Sequence, residues 1–141
     1  MSTATNPPFA AAVLAQARGG TKKHILAIDD EAPILELLQQ YLEIHGYRVS
    51  TARTAGEAMR LLEAEAPQLI ISDLQLEETD GLKLIEQMRI LLPSAPIILL
   101  TGVLFDSQVV EHNLKWKISS YVSKTAPLHS LLQEIRRFIG N

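Results

Sequence analysis

The chain has 141 residues, 47% of them apolar and 21% charged, which is enough for one domain with a buried core and excludes a disordered chain or a rod. It contains no cysteine, so disulfide frameworks, thiolate zinc sites, iron–sulfur clusters and cysteine nucleophiles are out, and any chemistry must use oxygen or nitrogen. A formal net charge of −3 argues against bulk binding to nucleic acid or a membrane surface, and no apolar run approaches the roughly 18 residues of a membrane span.

Residues 1–22 are rich in Ala, Thr, Pro and Gly, with Pro7-Pro8 and Gly19-Gly20 as breakers, and read as a flexible extension ahead of a domain over residues 23–141. Phe9–Ala17 is apolar and ends in a small-residue pattern, but no Lys or Arg precedes it. A secretion signal is therefore not expected, and the protein is read as cytoplasmic.

From His24 onward, short apolar runs alternate with amphipathic segments. His24–Asp29 is a buried strand closing on acid. Pro33 opens a helix with Ile34, Leu37, Leu38, Tyr41 and Leu42 at helical spacing, and Gly46 stops it. Tyr47–Ala52 is a second strand. Thr54 caps a helix running to about Glu65, with Ala55, Ala58, Met59 and Leu62 inward. Gln68–Asp73 is a third strand, again ending on Asp. A helix follows with Leu82, Ile85, Met88 and Leu92 inward, ended by Pro93. Pro96–Thr101 is strand four, a weaker helix covers roughly 107–114, and Ser119–Ser123 is strand five. The last helix starts near Pro127 and carries Leu128, Leu131, Leu132, Ile135 and Phe138 inward. Five strand–helix pairs in strict alternation predict an α/β fold, an open parallel sheet with helices on both faces.

In such sheets, ligands sit beyond the carboxyl ends of the strands near the point where strand order reverses. The residues there are Asp29, Asp30, Asp73, Thr101 and Lys124. Neighbouring strands lie about 4.8 Å apart, so pairing of strands one and three brings the three aspartates into one small volume. Unit charges about 4 Å apart repel by roughly 4 kcal/mol at an effective dielectric near 20. Such a cluster calls for a cation, and oxygen-only ligation with room for water suits Mg²⁺. A cation on carboxylates beside a hydroxyl and an ammonium matches the needs of a phosphoryl group in transfer. Asp73 is then the nucleophile, with Thr101 and Lys124 binding phosphoryl oxygens.

The acidic pair in Ile28-Asp29-Asp30-Glu31, Ile71-Ser72-Asp73, Gly81 eight residues on, Leu100-Thr101-Gly102 and Tyr121-Val122-Ser123-Lys124 together resemble the CheY-like receiver domains of two-component response regulators. The resemblance covers about residues 23–140. It implies a flavodoxin-like five-stranded parallel sheet of order 2-1-3-4-5. It implies Mg²⁺ held by Asp29, Asp30, Asp73 and the backbone carbonyl of Gln75, and phosphorylation of Asp73 by a histidine kinase or histidine phosphotransfer protein. Thr101 and Tyr121 would then switch the face formed by the fourth helix, fifth strand and last helix, where a downstream protein target binds. The domain would be a signalling module rather than an enzyme, promoting only its own phosphorylation and dephosphorylation. No direct DNA binding or membrane insertion is implied. With nothing after Asn141, a single-domain regulator working through protein contacts is expected.

Three departures from the family pattern fall near that switching face. Thr125-Ala126 separate Lys124 from Pro127, Leu76-Glu77 follow the acceptor loop, and Asn113–Ser119 carries Lys115-Trp116-Lys117. Gln75 and Val103, which the resemblance places where phosphoryl lifetime is tuned, offer no base, so slow phosphate loss is expected. Other readings are open: Asp29-Asp30 as a simple helix cap, Tyr121 as half-buried packing, and a phosphorylation-independent pseudo-receiver that binds partners constitutively. A nucleotide-binding module of the same fold would need a Gly- or Ser/Thr-rich loop where Asp29-Asp30-Glu31 stands. A haloacid-dehalogenase-type phosphatase would need an Asp at position 75. His24, His45, His112 and His129 form no ligand-spaced pair and are read as structural.

Overall fold

The computed structural model describes residues 22–74, 76, 81–102 and 118–140. The strands are β1 (His24–Ile28), β2 (Arg48–Ala52), β3 (Leu69–Ser72), β4 (Ile97–Thr101) and β5 (Ser120–Ser123). The helices are α1 (Ala32–Ile44), α2 (Ala55–Ala64), α3 (Gly81–Leu91) and α4 (Leu128–Ile139). The helix expected over 107–114 and the segment around Trp116 lie outside the described residues.

All strand pairs are parallel, and the spatial order is β2-β1-β3-β4-β5. The order reverses at β1, which pairs β2 on one edge and β3 on the other. Side chains alternate across a strand, and two separate cores result. Ile25, Ala27, Leu69, Ile71, Ile98 and Leu100 pack with α1 and α4 through Leu38, Leu42, Leu131 and Ile135. Leu26, Ile28, Ile70, Ile97 and Leu99 pack on the other face with α2 and α3 through Ala58, Leu62, Ile85 and Met88. Because both faces are covered, β1, β3 and β4 are buried along their whole length, and each large apolar side chain so enclosed contributes about 1.5–3 kcal/mol.

Local chemistry sets the element ends. Thr54 accepts a hydrogen bond from the Glu57 N–H at 3.1 Å and so caps α2, and the Glu57 side chain reaches back past the cap to accept from the Arg53 N–H at 2.7 Å. Gly46 ends α1 with φ of 95°, a left-handed conformation that costs glycine little. The inward face of α1 corrects one sequence expectation. Leu35, Leu38 and Leu42 are buried, whereas Leu37 is 47% exposed. At 3.6 residues per turn, Leu37 falls roughly 130° away from the centre of the stripe those three define. The expected inward positions elsewhere are buried or partly buried in the two cores. No described helix is long and apolar enough to cross a membrane.

Candidate functional site

Backbone pairing runs one residue past several strand ends and pins the polar residues that follow. The Asp29 N–H donates to the Ala52 carbonyl at 3.1 Å, the Asp73 N–H to the Ile28 carbonyl at 3.0 Å, and the Lys124 N–H to the Thr101 carbonyl at 2.9 Å. Since Ile28 is in register with Ser72, Asp29 and Asp73 emerge side by side at the carboxyl rim. Asp29, Asp73 and Thr101 are buried, at 1%, 4% and 1% exposure. These are polar groups that a core tolerates only with partners.

The two aspartates share a partner in Lys124. One carboxylate oxygen from each of Asp29, Asp30, Glu31 and Asp73 can be chosen so that all lie within 4.8 Å. The Lys124 ammonium sits among them, 2.7 Å from Asp29 Oδ2, 2.9 Å from Asp73 Oδ2 and 2.9 Å from Glu31 Oε2. Burial by itself would pull that ammonium down. Its contacts to Asp29, Asp73 and Glu31 outweigh burial and hold the group protonated well above the ordinary lysine range. Burial pushes the Asp29 carboxyl up, opposed by the Lys124 contact and by the Glu31 N–H, which donates to Oδ1 at 2.9 Å. Asp29 Oδ2 meets no hydrogen-bond donor of ordinary geometry among the described residues, and the Lys124 ammonium faces it at 2.7 Å.

The nest is braced from outside. The Arg53 guanidinium donates to the Asp30 carbonyl through Nη2 at 2.9 Å and Nε at 3.3 Å. A β-carbon on Gly81 would overlap the Leu74 carbonyl oxygen, with the carbonyl carbon at 2.6 Å. Glycine thus lets the first turn of α3 press against the segment that carries Asp73.

Of the residues singled out in the sequence, Asp29, Asp30, Asp73 and Lys124 come together. Thr101 ends β4 at the same rim, beside Ser123 of β5. Tyr121 lies on β5 opposite Leu99 and is 43% exposed. Gln75 and Val103 are outside the described residues. Sequence reasoning gave no part to Glu31 or Arg53. Glu31 directly follows the acidic pair, a usable signal, whereas nothing local ties Arg53 to a carbonyl 23 residues earlier. Asp29 accepts from the Glu31 N–H while also joining the nest, but the N-cap of α1 is Glu31, whose side chain makes no capping bond, so Asp29 closes the turn ahead of the helix rather than capping it.

The family model described as "Response regulator receiver domain" matches residues 25–136. The chain belongs to that family. As a receiver it is similar to GlrR, a transcriptional regulatory protein of Escherichia coli, with 40% identity over 56% of this chain and 18% of GlrR. It is also similar to PhoP, the alkaline phosphatase synthesis transcriptional regulatory protein of Bacillus subtilis, with 43% identity over 57% of this chain and 33% of PhoP. The receiver therefore spans well under two thirds of these relatives. Among solved structures, a CheY-like receiver domain protein of Methanospirillum hungatei matches with TM-score 0.76 and 32% identity over 83% of this chain and 93% of that one. The Thermotoga maritima response regulator TrrA, in complex with Mg²⁺-BeF, matches with TM-score 0.74 and 29% identity over 83% and 99%. The sheet order and the paired faces of helices agree with the CheY-like, flavodoxin-like architecture.

Proposed function

We propose that this receiver accepts a phosphoryl group on Asp73 from a histidine kinase or histidine phosphotransfer protein, in a Mg²⁺-dependent step, and signals through altered protein contacts. The convergence of the Lys124 ammonium and the Asp73 carboxylate at 2.9 Å inside an acidic nest carries the reading. The TrrA complex with Mg²⁺-BeF, on the same fold, supports it.

The residues fit the metal. Oxygen-only donors, several of them anionic, are what Mg²⁺ takes, and the buried Asp29 Oδ2 among them accepts no hydrogen bond of ordinary geometry from the described residues. Asp29, Asp30 and Asp73 would hold it, with the Gln75 carbonyl completing the protein ligands. When bound, it offsets the negative charge that otherwise opposes approach of a phosphoryl group.

An Asp73 carboxylate oxygen forms the new bond to phosphorus as the P–N bond of the donor phosphohistidine breaks. The electron pair stays on the imidazole, which takes a proton from solvent. Lys124 turns its ammonium to a phosphoryl oxygen, and the Thr101 hydroxyl donates to another. A group of charge near −2 then biases a two-state element through Thr101 and Tyr121. Its readout is the surface around β5, α4 and the helix expected at 107–114, where a downstream protein binds. By sequence, residues 23–141 are assigned to this unit, with residues 1–22 preceding it. The complete set of Asp30, Asp73, Thr101 and Lys124 speaks against a phosphorylation-independent binding module.

Amide NMR spectra recorded with beryllofluoride and Mg²⁺ test the reading. Resonances of Asp73, Thr101, Tyr121 and Lys124 should shift together and saturably, and should stay put when Mg²⁺ is omitted. Identical spectra with and without the full mixture would refute it.

A further inference from the structure

We propose that Glu31 is a positioning residue for Lys124, an outer arm that takes the ammonium when a divalent cation enters between Asp29, Asp30 and Asp73. The inference rests on the reading of that nest as a Mg²⁺ site.

Glu31 stands at the N-cap of α1, yet its side chain makes no capping hydrogen bond. Its carboxylate reaches Lys124 instead, donated to by Nζ at 2.9 Å. An ammonium has three protons to donate, and here three carboxylates surround it. They are not equivalent. The Asp29 and Asp73 side chains are 2% and 6% exposed, against 60% for Glu31. A cation drawn in by Asp29 and Asp73 repels the ammonium and competes for the oxygens that hold it. Outward movement along Glu31 keeps one full charge contact, because the exposed glutamate can follow through its three side-chain torsions. Its backbone stays tied meanwhile: the Glu31 N–H donates to Asp29 Oδ1, and its carbonyl accepts from the Ile34 and Leu35 N–H groups of the first turn of α1. Lys124 itself is 12% exposed, so among the described residues an ammonium displaced without Glu31 would leave two buried carboxylates for no partner of opposite charge at this edge of the nest.

Calorimetric Mg²⁺ titration of the unphosphorylated full chain tests this. Glu31→Gln should raise the Mg²⁺ dissociation constant about tenfold, the low end of what outer-shell partners of metal ligands contribute, and Glu31→Asp should recover part of the loss. In a Lys124→Met background, Glu31→Gln should change the constant by less than about twofold, since the arm then has nothing to hold. An equal loss in both backgrounds means that Glu31 acts by its charge alone and overturns the proposal. Should Lys124→Met not fold, the Lys124 ammonium resonance decides. It should persist through a Mg²⁺ titration of wild type and broaden away in Glu31→Gln; the same behaviour in both proteins overturns the proposal. A wild type that takes up no Mg²⁺ would refute the metal-site reading itself. A wild type that binds Mg²⁺ no better than Glu31→Gln would refute this inference only.

Discussion

Lys124 Nζ lies 2.7 Å from Asp29 Oδ2 across the sheet rim, and the same ammonium touches Asp73 at 2.9 Å. One cation, from the loop after β5, thereby neutralises carboxylates delivered by β1 and β3. Removing it leaves like charges buried side by side, a change that typically costs about 3–5 kcal/mol. Lys124→Met should accordingly be destabilised by a few kcal/mol in EDTA, and millimolar Mg²⁺ should recover most of the loss. Urea denaturation in both buffers measures this. An equal loss in the two would mean that Mg²⁺ does not substitute for the ammonium.

At the opposite end of the sheet, His24 is buried with Nε2 2.7 Å from Ser50 Oγ. Burial and the facing Arg48 guanidinium hold its pKa below the usual 6.5, against the pull of Glu65, whose carboxylate is 3.7 Å from Nδ1. Between that lowered value and about 6.5 the unfolded chain binds the proton and the folded chain does not. Stability should therefore rise with pH up to about 6.5 and level off above it. His24→Gln should flatten this slope. Asp29, raised by burial, contributes with the opposite sign, so the difference between wild type and variant isolates the histidine. Parallel stability–pH curves for the two proteins would contradict the assignment.

Gly81→Ala should destabilise the fold by about 2–4 kcal/mol, in the range of steric conflicts with backbone, because the added carbon meets the Leu74 carbonyl rather than a side chain that can turn away. The same strain should slow phosphorylation of Asp73, the residue next to Leu74. Thermal melts and acetyl phosphate kinetics on one preparation check both effects.

The corrected face of α1 gives a sharper comparison. Leu38→Ala, at 2% exposure, should cost about 2–5 kcal/mol. Leu37→Ala, at 47% exposure, should cost under about 1 kcal/mol. Chemical denaturation of the pair would show comparable losses only if the helix packed on the face that simple periodicity suggests.

That face illustrates where sequence reading stopped. The α1 segment carries so many leucines and isoleucines that several helical stripes fit, and only the position of the sheet beneath chooses Leu35 over Leu37. The β1, β3 and β4 runs were unambiguous because strands covered on both faces are apolar at every position. Asp29, Asp30, Asp73 and Lys124 could be found because parallel strands end on one rim, so that strand ends alone name them. Glu31 and Arg53 escaped for a different reason. Each works by reaching across to another element, Glu31 to the end of β5 and Arg53 to the turn after β1, and such reach depends on where loops lie rather than on spacing along the chain.

The central claim is that Asp73 carries phosphate reversibly beside a divalent ion, and intact mass spectrometry after incubation with acetyl phosphate measures it most directly. Wild type should gain a single phosphoryl group with Mg²⁺ and none with EDTA, while Asp73→Asn should gain none in either. Equal modification of the Asp73→Asn protein, or an unmodified wild type at saturating Mg²⁺, would contradict the account.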